Sequence, residues 1–340
     1  MLKKILLVIG VVLMVALVGA FWAYSIVFSD NVKLTKPTSI YIKTGTSYAD
    51  LLNQLKDMDV LSSWSGFETL AGKMNLPNNI HPGHYIVTEN LSNIDLIRKF
   101  RGAHQEPIKV TFNKHRTVEE LAQTISQQIE ADSATFVTLL KDRAYLKQFN
   151  LDTNTILAKF IPNTYELYWN TSAEKFTKKM LKAADDFWND ERMAKATLLN
   201  LSKLEVITLA SIVEEESNKS DELARVAGVY LNRLKKGWHL QADPTVKFAA
   251  QDFTIKRILN KHLKIDSPYN TYKVIGLPPG PICLPSTKTI DAVLNAEKHN
   301  YMYFCAREDF SGYHNFAQTL TEHNANARNY HKALNKRKIF

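Results

Sequence analysis

Two cysteines in 340 residues, Cys283 and Cys305, are too few for a disulfide framework and lack the spacing of metal ligands. One bridge between them in an oxidising compartment and two buried free thiols both stay open. The chain has no low-complexity segment and no repeat at solenoid periods, which sets aside stacked-repeat architectures. It also lacks zinc-finger spacing, an RNA-binding aromatic signature and a clear helix-turn-helix, so its net charge of +9 does not point to nucleic acid. A basic surface of this kind is left for anionic lipid or acidic wall polymers. Nothing in the sequence calls for a metal or another cofactor. What is present is a globular composition, 45% hydrophobic and 23% charged, over a length that predicts a membrane anchor and two or three modest domains.

Residues 5–28 carry no charge and are long enough for a helix across the roughly 30 Å hydrocarbon core of a bilayer. Lys3 and Lys4 precede the run and Asp30 follows it, which predicts a short cytoplasmic tail with the rest of the chain outside. Trp22 and Tyr24 then fall near the outer interface. A cleaved signal peptide is the competing reading, opposed by the length of the run and by the lack of a clean small-x-small site.

Segment 31–108 alternates strand and helix patterns: a strand over 39–43, helices over 48–58 and 64–74, a strand over 85–87 and a helix capped by Asn93. His81 and His84 flank a Pro-Gly turn and are expected as solvated turn residues rather than a metal pair. From Lys109 a larger domain runs to the end of the chain. It opens with a short strand, a capping box at Thr117 and Glu120, and a short helix over 133–141. An aromatic loop and strand follow over 160–168, then a helix capped by Ser172 with Phe176, Met180 and Phe187 inward. The helix after Ser220 carries Leu223, Val226, Tyr230, Leu231 and Leu234 on one stripe and ends at Gly237. The fold class is α+β: a transmembrane helix within 1–30, a small α+β module over 31–108, and a larger mixed α+β domain over 109–340.

The chemistry concentrates around residues 204–218, an amphipathic helix pattern interrupted by Glu214, Glu215 and Glu216. Positions three and four apart are neighbours on a helix, so Glu216 shares a face with Leu209, Ile212 and Val213. Glu215 falls beside Thr208 and Ser211, on a face that is expected to stay in water, and Glu214 lies between the two. Read alone, an acid triplet is a solvated helix end. Downstream, however, Leu240-Gln-Ala-Asp-Pro-Thr245 places an amide, a carboxylate and a hydroxyl in a turn. Pro268-Tyr-Asn-Thr-Tyr272 sets two aromatics and an Asn in another, and Gly276-Leu-Pro-Pro-Gly-Pro-Ile282 is a stiff loop. Tyr301-Met-Tyr-Phe-Cys305 and Tyr313-His-Asn-Phe316 read as a hairpin. Rings that stack on sugar faces, mixed with amides and carboxylates that hold hydroxyl and acetamido groups, suit a carbohydrate groove.

On these residues the chain resembles the endolytic murein (peptidoglycan) transglycosylases, the MltG or YceG-like family. The matching segments are Ala210-Ser-Ile-Val-Glu-Glu-Glu216, Asn232-Arg233-Leu234, Leu240-Gln-x-Asp-Pro-Thr-Val246, Tyr269-Asn-Thr-Tyr272, Gly276-Leu-Pro-Pro-Gly-x-Ile282, Tyr301-x-Tyr-Phe304 and His314-x-Phe316. The resemblance implies a LysM-like, glycan-binding subdomain over 31–108 ahead of a catalytic domain over 109–340. It also implies a lyase that cuts the MurNAc-GlcNAc bond within strands and leaves a 1,6-anhydro-MurNAc end. Glu216 falls on the family's catalytic glutamate, while Glu215 stands where the family pattern has Lys. Ser217, Gln241, Tyr269, Asn270 and Tyr272 are the expected sugar-holding residues, with Asn232, Asp243 and His314 as either sugar contacts or loop braces. The expected partners are peptidoglycan strands, with cell-wall synthases or division proteins as the protein partners to seek. The expected location is the cytoplasmic membrane of a bacterium, with the catalytic domain on its outer face. Two other readings stay open, an inactive wall-binding scaffold and a lysozyme-type hydrolase.

Overall fold

A computed structural model describes residues 1–337, and the chain divides into two compact units. The first takes in residues 1–110 with two returns, 128–131 and 165–172. It begins with α1 (Leu2–Phe28), a 27-residue helix with no buried residue, long and apolar enough to cross a membrane. Only its last turns meet the rest of the unit. This comprises β1 (Thr38–Ile42), α2 (Tyr48–Asp57), α3 (Trp64–Lys73), β2 (Gly83–Val87), α4 (Asn93–Arg101) and the start of β3 (Ile108–Phe112).

β1 and β2 pair antiparallel, with Ile40 opposite Tyr85 and Ile42 opposite Gly83. Alternation buries Ile40 and Ile42 completely and leaves Tyr41 outside. The inward residues meet Leu51, Leu55, Phe67, Ala71, Leu96, Ile97 and Phe100 from α2, α3 and α4. His84 departs from the expected solvated turn. It lies within β2 and is buried, its Nε2 2.9 Å from Ser39 Oγ and its ring stacked on Tyr41 at 4.7 Å.

The passage from α1 into this unit is built from two asparagines. Asn93 donates to the Ile26 carbonyl at 2.7 Å, so it serves the end of α1, and Ser92 caps α4 in its place. Asn31 donates to Asn93 Oδ1 and to the Ser63 carbonyl, each at 2.7 Å, and accepts from Ser63 N at 2.8 Å. Both side chains are buried with their bonds made, which removes the desolvation cost of an unpaired amide.

The second unit contains α5 (Val118–Ser126), α6 (Ser133–Lys141), α7 (Arg143–Lys147), β4 (Asn163–Leu167, its first residues), α8 (Ala173–Phe187), α9 (Asp190–Leu198), α10 (Lys203–Glu216) and α11 (Leu223–Lys235). It continues with α12 (Asp243–Ala250), α13 (Asn260–Leu263), α14 (Thr287–Leu294), β5 (Tyr303–Ala306), β6 (His314–Ala317) and α15 (Leu320–Lys336). The strands form two-stranded sheets, β1 with β2, β3 with β4 and β5 with β6, so the class is mixed α+β.

α10 is the core of this unit. Ser202 and Glu205 form a reciprocal capping box at its start, worth about 1 kcal/mol. Every residue from Val206 to Val213 is buried, so the helix has no wet face and the expected amphipathic pattern is not what the fold uses. Val206, Leu209, Ile212 and Val213 pack with Val226 and Tyr230 of α11 and Ile290 and Val293 of α14. Two further expectations change, and one open alternative is settled. Residues 243–250 are helical, because Pro244 sits in a first turn, where its missing N–H costs nothing. The helices α9 and α15 lie where none is expected. Cys283 and Cys305 are both free thiols.

Candidate active site

The last turn of α10 carries three carboxylates side by side, and each has a different fate. Glu214 turns toward α14, where its Oε2 accepts from Ser286 Oγ at 2.9 Å, Ser286 N at 3.3 Å and the Thr289 hydroxyl. A carboxylate is favoured at that helix N-terminus by the orphan N–H groups there. Glu215 corrects the expectation of a water-facing acid. Its side chain is only 13% exposed and pairs with Arg116 at 2.8 Å and Lys114 at 3.2 Å. Burial works to raise its carboxyl, but the Arg116 hydrogen bond and the two cationic charges outweigh it and hold the group below the usual range.

Glu216 has no cationic hydrogen-bond partner among the described residues. Its Oε1 accepts a 2.7 Å hydrogen bond from the Tyr230 hydroxyl of α11. The side chain keeps some access to solvent, yet protein atoms crowd it closely. Loss of hydration is the largest influence on its titration and raises it. The Tyr230 hydrogen bond and the Arg233 charge work downward, Asp243 and Glu215 work upward, and the carboxyl settles at about 7.

Two loops stand beside this acid, tied together from below. Thr245 and Thr271, both buried, exchange a 2.8 Å hydroxyl contact. Ala242 N donates to Thr271 Oγ1 at 3.0 Å, and Gln241 N donates to the Thr271 carbonyl at 3.1 Å. This clamp brings Tyr272 over Asp243, with its hydroxyl 2.6 Å from Oδ1. Gln241 sits at φ 49, a left-handed conformation that costs a non-glycine residue, and its exposed side-chain amide makes no hydrogen bond among the described residues. Tyr269 packs tilted against Phe248, with ring centroids 4.7 Å apart, and reaches Asn154, and burial pushes its hydroxyl up to about 12. The stiff loop is pinned to α10 by Ile282 N donating to Ser211 Oγ at 3.0 Å. Gly280 is required there, because a Cβ would stand 2.1 Å from the Asn154 carbonyl.

Other expected contacts are spent inside the protein. Asn270 is fully buried, donates to the carbonyls of Leu263 and Ile265 at 3.0 and 2.8 Å, and accepts from Tyr272 N. It shapes the loop and has no donor left to hold a sugar. Asn232 gives its amide hydrogens to the carbonyls of His299 and Tyr301. His314 binds Glu222 through both its ring and its backbone N–H, each at 3.0 Å. Ser217 accepts from Lys219 N at 3.0 Å and is buried.

Tyr230 was visible in the sequence only as one position on an apolar stripe. The available signal was that a buried tyrosine hydroxyl needs a partner. No group of three His, Cys, Asp or Glu side chains among the described residues has the geometry to hold a metal ion. A small hollow of about 30 Å³ adjoins Glu215, Pro244 and Ile282, and another of about 880 Å³ is lined by Asn232 and His299; Glu216 lines neither.

Residues 40–329 match the sequence profile of the YceG-like family. The chain is similar to the endolytic murein transglycosylase of Bacillus subtilis (strain 168), with 30% identity over 337 residues covering 94% of this chain and 92% of that protein. It is 25% identical over 325 residues to the endolytic murein transglycosylase of Streptococcus pneumoniae (strain ATCC BAA-255 / R6), of which it spans 58%. The crystal structure of a YceG-like protein from Listeria monocytogenes superposes with a TM-score of 0.58 at 28% identity, covering 86% of this chain and 99% of that one.

Proposed function

The chain belongs to the YceG-like family, and from that premise we propose that it is an endolytic peptidoglycan lytic transglycosylase, a lyase that cleaves glycan strands internally. One observation carries the assignment of its acid: Glu216, crowded by protein atoms and hydrogen-bonded by the Tyr230 hydroxyl, is raised by burial to about 7 and so is available in its protonated form near neutrality.

Glycosidases ordinarily divide the work between two carboxyls. Here one group does both halves. Glu216 protonates the glycosidic oxygen as its bond to MurNAc C1 breaks. The 2-acetamido group of MurNAc stabilises the oxocarbenium ion that develops. The ionised Glu216 then takes the proton from the C6 hydroxyl while its oxygen bonds to C1, closing a 1,6-anhydro ring. No water enters, and the acid is returned protonated. Gln241, with its unbonded amide, and the rings of Tyr269 and Tyr272 are the groups placed to hold sugar, with Asp243 fixed under Tyr272. Ser217 retains its hydroxyl proton as a donor. Asn270, Asn232 and His314 are read as braces.

Two finer readings belong with this one. Residues 31–108 form a LysM-like, glycan-binding module. Half-exposed Tyr41 beside Trp169, with ring centroids 5.1 Å apart, supports it as an aromatic surface for sugars. α1 spans the cytoplasmic membrane with Lys3 and Lys4 inside and the catalytic domain outside, and cell-wall synthases or division proteins are partners there.

The test is mass spectrometry of products made from purified glycan strands by the full chain in detergent. Anhydro ends are expected from the wild type, and none from Glu216→Gln, which still binds strands. Products heavier by one water would make the protein a hydrolase, and full activity of the variant would remove Glu216 from the mechanism.

A further inference from the structure

Tyr230 belongs to none of the loops that the sequence singles out, yet its hydroxyl is the nearest hydrogen-bonding partner of the acid. The side chain is 1% exposed, at the centre of the core formed by α10 and α11. Its ring stands edge-on to Phe304 at 5.9 Å, which fixes where the hydroxyl points. Glu216 Oε1, 14 residues away in sequence, receives that hydroxyl at 2.7 Å. Burial, and then the charge of Glu216, push the phenol well above its ordinary range, so it stays protonated and acts as a donor.

Arg233 lies three residues further along α11, on the same face. It is buried, and its guanidinium bonds to the carbonyls of Met302 and Leu240 rather than to a carboxylate. Its charge is therefore not neutralised by a salt bridge among the described residues, and it bears on the nearby acid.

We propose that Tyr230 is a positioning residue for Glu216: it occupies Oε1, so that Oε2 is the oxygen that gives and retrieves the proton, and together with Arg233 it stabilises the ionised acid between the two halves of the reaction. This rests on the reading of Glu216 as the acid. The physical reason is a difference between two states. A hydrogen bond to a neutral carboxylic acid is ordinary, whereas one to a carboxylate is roughly twice as strong. Tyr230 therefore contributes most as the proton leaves, and an interaction that strengthens along the reaction coordinate accelerates it.

The groups facing Glu216 are accounted for on each side. α11 supplies Tyr230 and Arg233. α12 supplies Asp243, which carries Tyr272 on its Oδ1, and α10 itself supplies Glu215, already paired with Lys114 and Arg116. α14 presents hydroxyls and an N–H, and these go to Glu214. Of these groups only Tyr230 donates directly to the acid, so its removal is a clean perturbation.

The experiment compares wild type and Tyr230→Phe as full chains in detergent. The carboxyl titration of Glu216 is followed without substrate by carbon NMR of labelled glutamate, assigned by the signal lost in Glu216→Gln. Tyr230→Phe should raise that titration by roughly one pH unit, and should lower kcat at pH 7 by about tenfold with little change in KM. Replacing Tyr230 by 3-fluorotyrosine, which keeps the shape and strengthens the donor, should shift the titration the other way. This arm also serves if the phenylalanine variant does not fold. Titration curves that superimpose in both variants overturn the proposal and leave Tyr230 a packing residue. A shifted titration in a protein whose wild type yields no anhydro ends would instead remove the proposed function while Tyr230's hold on Glu216 stood.

Discussion

Glu216→Gln is expected to stabilise the protein, and only at high pH. In the unfolded chain the carboxyl titrates near its ordinary 4.5, and in the folded state at about 7. Between those values the native state holds the proton that the unfolded state has released, so stability falls as pH rises through this window. A shift of this size corresponds to about 3 kcal/mol at 1.36 kcal/mol per unit, and the residual solvent access of Glu216 brings it toward about 2. Glutamine resembles the protonated acid in shape and still accepts from Tyr230, but it does not titrate. Below pH 4.5 the variant and the wild type should therefore be about equally stable. Above pH 8 the variant should be more stable by about 2–3 kcal/mol. Urea unfolding of the full chain in detergent, read through Trp188 in the core around α10, measures this at each pH. A gap that stays constant from pH 5 to pH 9, or a variant less stable at pH 9, would refute the argument that burial holds Glu216 protonated. The gain in stability would accompany a loss in rate of about 10²–10⁴, the value of a positioned general acid, and so would measure what the fold gives up to keep it.

Glu215→Gln leaves Arg116 and Lys114 without their anion, and should lower stability by about 1–2 kcal/mol in the same urea assay while lytic rate stays within about tenfold. Unchanged stability, or a rate loss as deep as that of Glu216→Gln, would contradict the paired, supporting role seen in the structure. Asn270→Ala removes two donated bonds and one accepted bond made by a fully buried side chain. It should cost about 2–3 kcal/mol and speed hydrogen exchange across residues 263–272; weakened strand binding with that protection unchanged would restore Asn270 as a sugar contact.

Local patterns made much of the small unit legible. β1 and β2 alternate as their residues demand, and α2 and α4 bury the apolar positions that helical spacing selects. The failures have physical reasons. α9 buries only Ala196, and α15 buries no residue, so neither writes an apolar stripe into the sequence. α10 has the opposite defect: it is surrounded, so periodicity cannot mark a wet side. Thr208 and Ser211, which suggested one, are buried, with Ser211 donating to the Thr208 carbonyl. That same spacing still set Glu216 on the face of Leu209, Ile212 and Val213, whereas the partner of Glu215 lies 99 residues earlier, beyond any local rule. Asp243 and Pro244 read as a turn because Pro opens turns and helices alike. Asn270, in a loop of sugar-suited residue types, could not be told from its neighbours until the carbonyls that claim its amide were in view.

The end of α1 is tied into the first unit by side chains as well as by the backbone. Asn93 holds the Ile26 carbonyl and Asn31 holds Asn93, a chain of two hydrogen bonds from helix end to folded unit. At 1.5 Å per residue the 27 residues of α1 extend about 40 Å, more than the roughly 30 Å of a hydrocarbon core. A spanning helix that is too long for its bilayer tilts. Were α1 to span a bilayer as proposed, two asparagine side chains would pass its tilt, and with it the thickness of the lipid, to the first unit.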